Sequence, residues 1–230
     1  MPEPDRQFHT TRWSVVLAAG EEQPQALETL CRAYWRPLYA YACWRGNTAE
    51  EARDLTQEFF AKLLEKKWLD GVKPEGGKFR SFLLTAMQRF LITAYQHSIA
   101  QKRGGGAVPI ALDEIPEPPA LGQCDSPEAA FDRQWARTLL ERAHGRLRAE
   151  ATLARVQHFD MLERFLSTEP APGEYEALSA KLGLGRNGIA AAVRRLRLRF
   201  RDCVRAEISE TVATPADVDE EMRALIEVLA

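Results

Sequence analysis

The chain predicts an all-α protein of two small helical domains, and three observations carry that reading. No run of residues shows the two-residue alternation of β-branched side chains that marks a strand. Apolar residues instead recur at helical spacing in both halves of the 230-residue chain. Between the halves lies a glycine- and proline-rich stretch. Gly104-Gly105-Gly106 opens it, and Pro109, Pro116, Pro118, Pro119 and Pro127 follow.

Taken in order, residues 11–19 read as a short first helix. Residues 24–46 form the next, rich in aromatics: Tyr34, Trp35, Tyr39, Tyr41 and Trp44. Pro37 lacks an N–H and crowds the preceding turn, so it should kink or split that segment. Thr48 and Glu51 make a capping box, which starts a helix running to about Lys66. Gly71, Pro74, Gly76 and Gly77 break the chain into a loop over 67–78. A long apolar-periodic helix covers 79–101. Residues 102–125 are a linker, and its 24 residues, fully extended, reach up to roughly 80 Å.

Ser126 and Pro127 then supply an N-cap and a first-turn proline. That helix should end near His144 or Ala149. A second helix spans about 152–167 and stops before Pro170 and Pro172. A short helix over 174–182, a tight turn at Gly183-Leu184-Gly185 and a long helix over 186–209 follow. Thr214 and Pro215 cap a last helix, which places Val218, Met222, Leu225, Ile226 and Leu229 on one face. The domains are therefore 1–101 and 126–209, with an acidic extension over 210–230. That extension reads as a solubilising acidic helix; the alternative is that it folds back, with its apolar face packed on the second domain.

Composition narrows the function. Hydrophobic residues make up 45% and charged residues 28%, as in globular chains. Uncharged apolar stretches such as 14–20 are too short to span a bilayer, and the polar start lacks a signal-peptide core. The cysteines at 31, 43, 124 and 203 are too far apart for a Cys-x-x-Cys pair. They are expected to be reduced, in a cytoplasmic protein. No metal is expected, because His9, His97, His144 and His158 lack ligand spacing. No cofactor or enzymatic activity is expected either, since there is no phosphate-binding loop, dinucleotide fingerprint or nucleophile elbow.

The net charge of −2 conceals segregation. Residues 1–103 carry 15 basic and 12 acidic side chains, and 104–128 carry none and five. Residues 129–205 carry 15 and nine, and 206–230 carry one and seven. Two basic blocks thus alternate with two acidic ones, a pattern that points to nucleic acid.

The most informative segment is 175–205. Two helices around a three-residue, glycine-containing turn have the helix-turn-helix layout. Leu178, Leu182, Leu184, Ile189 and Val193 are the expected core between them. The N-terminal residues of a recognition helix meet base edges, which nominates Arg186, Asn187, Ala190 and Arg194 for base contact. Lys181, Arg195, Arg197 and Arg199 are nominated for phosphate. In the first domain, Leu55, Phe59 and Leu63 form the inward stripe of the third helix. Asp54, Gln57, Glu58 and Ala61 share its outward face.

These segments resemble a known family. The run from Asp54-Leu-Thr-Gln57-Glu58 to Phe60 looks like the second conserved region of bacterial sigma factors. Residues 175–205, with Leu-Gly-Leu at 182–184 and Arg195-Leu-Arg197, look like the fourth. A bare linker between the two resembles the small extracytoplasmic-function group. Thr10 to Ser14, Lys78 to Leu83, Gln101 to Gly105 and the tail after Glu207 resemble a divergent branch of that group.

The resemblance implies a promoter-recognition subunit of RNA polymerase. Asp54, Gln57, Glu58 and Ala61 would dock on the clamp helices of the largest subunit, and the second domain would meet the flap of the second-largest. The helix over 79–101 and the loop before it would recognise and melt the minus-ten element, with Arg80, Arg89, Lys102 and Arg103 toward DNA. Trp68 is a candidate stacking platform there, whereas Phe79 is expected in the core. The helix over 186–209 would read the minus-thirty-five element. An anti-sigma partner, or the C-terminal helix in cis, would regulate the protein. The sequence departs from the family at Arg89 and Thr93, where relatives usually carry Asn and Asp, and at Gly185, where a Ser or Thr cap is usual. The alternative is a helix-turn-helix regulator acting without core polymerase.

Overall fold

The computed structural model describes residues 24–65, 68–69, 78–103, 126–212 and 214–229, and all the regular structure among them is helical. The helices are α1 (Pro24–Trp44), α2 (Ala49–Glu65), α3 (Phe79–Arg103), α4 (Pro127–Leu153), α5 (Phe159–Leu162), α6 (Glu174–Leu182), α7 (Arg186–Ser209) and α8 (Pro215–Leu229). A 3-10 turn, Glu163–Leu166, follows α5. The expected helix over 11–19 and most of the linker lie outside the described residues.

The chain divides into two compact units. One holds the described residues up to Thr138 together with those from Ile208 onward, and the other is Leu139–Glu207. The C-terminal helix therefore groups with the N-terminal residues. Helix α4 begins in the first unit and ends in the second.

In the first unit, α1, α2 and α3 pack on one another. Their core is aromatic. The Tyr34 ring meets Phe79 edge-on at 5.5 Å, Trp35 stacks on Phe60 at 5.9 Å, and Phe59 meets Phe90 at 5.8 Å. Each such pair adds about 0.5–1.5 kcal/mol beyond its burial. Helix α1 runs unbroken through Pro37. Pro37 is itself buried, as are Tyr34, Leu38 and Tyr41 around it, and this packing outweighs one missing backbone hydrogen bond. Gly46, at φ 91°, ends α1 with paired backbone bonds, Gly46 N–H to the Cys43 carbonyl and Asn47 N–H to that of Ala42. The expected capping box then opens α2. Glu51 N–H donates to Thr48 Oγ1 at 3.3 Å, and Thr48 N–H to Glu51 Oε2 at 2.9 Å. The buried stripe of α2 is Ala52, Thr56, Phe59, Phe60 and Leu63, with Leu55 only half-buried.

Helix α4 starts at the expected cap, with Ala129 N–H donating to Ser126 Oγ at 3.1 Å. It runs to Leu153, beyond its expected end. The single helix expected over 152–167 is instead a turn, the short α5 and the 3-10 turn. Arg155 and His158 take left-handed backbone angles, φ 50° and 63°, at a cost of about 1–3 kcal/mol each. The break lets Phe159, Leu162 and Phe165 all turn inward, and all three are buried.

Candidate nucleic-acid interface

Helices α6 and α7 flank the turn at residues 183–185. Gly183 sits at φ 64°, a conformation that side chains with a Cβ rarely adopt, and its N–H caps α6 on the Ser179 carbonyl at 3.1 Å. The Ser179 hydroxyl crosses the turn to the Leu184 carbonyl at 2.5 Å. Leu178, Ile189 and Val193 close a core with Leu162 and Phe165, and Tyr175, Leu182, Ala192 and Leu196 pack around it. Leu184, expected in this core, is 39% exposed because the glycine-flanked turn lifts it outward.

This packing decides which face of α7 is open. Asn187, Ala190, Arg194 and Arg195 are exposed, and so is Lys181 at the end of α6. Asn187, Ala190 and Arg194 recur at helical spacing, so they share one surface stripe. Arg186 is exposed beside them and holds Glu176 at 3.0 Å, a rim pair that water screens. The unit thus presents a cationic helix face whose first two turns carry short or hydrogen-bonding side chains. Such a face can approach base edges and clamp phosphate oxygens.

Two of the arginines nominated for phosphate are used inside the unit. Arg197 Nε donates to the Phe165 carbonyl at 2.8 Å, Nη2 to that of Thr168 at 3.4 Å, and Nη1 pairs with Glu169 at 3.0 Å. It ties α7 to the end of the 3-10 turn. Arg199 Nε bonds Glu150 at 2.8 Å, and that carboxylate raises the arginine's pKa further. Arg142 and Arg146 flank the buried Glu207, at 2.8 and 3.5 Å.

In the first unit, Asp54, Gln57, Glu58 and Ala61 are all exposed on α2, and Glu58 pairs with Lys62 at 2.6 Å. On α3, Arg89 is exposed, and Thr93 hydrogen-bonds back to its carbonyl at 3.0 Å. Ile92 and Tyr95, which sequence reasoning passed over, are exposed on the same helix. Lys102 and Arg103 end α3, and their side chains lie outside the described residues. Phe79 is in the core, and the half-buried Trp68 meets Phe59 edge-on at 6.2 Å.

Arg80 is not open to solvent. Its side chain is 14% exposed, its guanidinium lies 4.6 Å over the Trp135 ring, and it pairs with Asp132 and with Glu221. Burial raises the Asp132 pKa, against the opposing pull of Arg80.

No family model, curated protein or solved structure matches the chain.

Among the described residues, no helix is long and apolar enough to cross a membrane, and no group of three or more His, Cys, Asp or Glu is placed to hold a metal ion.

Proposed function

We propose that this protein is an alternative sigma factor of the extracytoplasmic-function type, which directs RNA polymerase core to promoters. One observation carries the reading: the cationic face of α7 and the polar face of α2 are both exposed, on separate units of one chain. In this reading α6, the turn and α7 form a helix-turn-helix that reads the minus-thirty-five element through Arg186, Asn187, Ala190 and Arg194. Lys181 and Arg195 hold phosphate. Asp54, Gln57, Glu58 and Ala61 dock on the clamp helices of the polymerase, and the exposed side of α3 faces the minus-ten element.

The test is co-purification with bacterial core RNA polymerase, comparing the wild type with an Asp54→Ala/Gln57→Ala variant. Stoichiometric binding that the variant loses, with its melting curve unchanged, is the expected result. If neither protein bound core yet both bound duplex DNA, the reading would give way to a regulator acting without polymerase.

A further inference from the structure

The C-terminal helix brings carboxylates onto the cations at the start of α3. Lys78 Nζ lies 2.9 Å from Glu220 Oε1 and 3.0 Å from Glu221 Oε1, and Arg80 Nε lies 2.9 Å from Glu221 Oε2. Glu221 is 2% exposed, a depth at which a carboxylate needs cationic partners. All these residues belong to the first unit.

We propose that α8 is a detachable acidic latch, in which Glu220 and Glu221 occupy Lys78 and Arg80 in place of nucleic-acid phosphate. The proposal rests on the reading that the first unit meets promoter DNA. Three features fit a contact that opens. First, the apolar grip of α8 is small: Val218 and Leu225 are buried, while Ile226 and Leu229 stay 61% and 54% exposed. Second, Arg80 Nε and Glu221 Oε2 are close in charge but not aligned as a hydrogen bond. A phosphate accepts aligned, two-pronged bonds from an arginine and is the better partner. Third, Asp132 and the Trp135 ring hold Arg80 independently of α8, so the guanidinium stays in position when the helix leaves.

The experiment measures binding of the full chain to a labelled single-stranded oligonucleotide by anisotropy, across salt. A Glu220→Gln/Glu221→Gln variant should bind more tightly than wild type. Freeing one to two cations should steepen its salt slope by about 0.7–1.4, which is about three- to sevenfold more affinity lost between 50 and 200 mM salt. Adding Lys78→Gln should remove about half of that extra slope. A folded double variant with wild-type affinity and slope would show α8 to be structural only and overturn the proposal. Should the double variant unfold, Glu220→Gln alone decides, because that residue is exposed: a partial gain upholds the latch and no gain overturns it.

Core-polymerase binding measured on the same proteins separates the two readings. Polymerase binding without any gain on the oligonucleotide defeats the latch alone. A gain without polymerase binding defeats the sigma reading and leaves the latch standing.

Discussion

Arginines on α7 look alike in the sequence and differ in the structure because of where they fall around the helix. Arg197 follows the buried Val193 by four residues, so it lies at the edge of the inward stripe, where carbonyls of the 3-10 turn await a donor. Its commitment was legible in that spacing and was masked by its charge. Arg194 and Arg195 fall on the opposite side and stay open. The two classes should respond differently to truncation. Arg197→Ala should lower stability by about 1–2 kcal/mol, since a charged donor to a half-buried carbonyl is lost, and urea melts would report it. Arg194→Ala should leave the melt unchanged. Under the proposed function it should cost about 1–3 kcal/mol of promoter affinity and relax preference at one base position, which a panel of single-substitution duplexes would reveal. Lys181→Ala should weaken all duplexes alike and reduce the salt slope by about 0.9. A sequence-dependent loss at Lys181 would contradict its assignment to phosphate.

At the level of elements, local chemistry made most helix ends readable. The caps at Thr48, Ser126 and Thr214 all form, and Gly183 ends α6 where the pattern placed it. Two elements escaped for a shared physical reason, that tertiary burial overrode local preference. Pro37 is carried through α1 by the packing around it. The segment after Leu153 gives up helical continuity at Arg155 and His158 so that three apolar side chains can turn inward. Neither outcome is visible without knowing what each side chain packs against. The turn between α6 and α7 is held by a bond that sequence reading passed over, from Ser179 to the Leu184 carbonyl. Removing it in Ser179→Ala should cost about 0.5–1.5 kcal/mol of stability. Because the turn sets the angle at which α7 is presented, DNA affinity should fall as well. A stability loss with unchanged DNA affinity would mean that the turn keeps its geometry without this bond.

Across the whole molecule, the segregation of charge is the sequence feature on which the proposed function leans, and the placement of the acidic tail was the least legible feature. The apolar stripe of α8 reads as five hydrophobic residues, yet the face that packs includes Glu221, and Ile226 and Leu229 stay outside. A buried carboxylate breaks the pattern that periodicity can detect, and its partners Lys78 and Arg80 lie some 140 residues earlier in the chain. The contact has a pH signature. Burial alone would lower the Lys78 pKa, but its pairing with Glu220 and Glu221 outweighs this and leaves the pKa raised above its ordinary 10.5. A lysine whose folded-state pKa is raised contributes stability below its unfolded value and loses that contribution as pH climbs through the folded one. Lys78→Met should therefore melt below wild type at pH 9, and the gap should narrow in steps above pH 10.5 as the wild-type ammonium loses its proton. Calorimetric scans of both proteins in matched buffers would measure it, and a gap that stayed constant across that range would mean that Lys78 acts through packing of its stem and not through its charge.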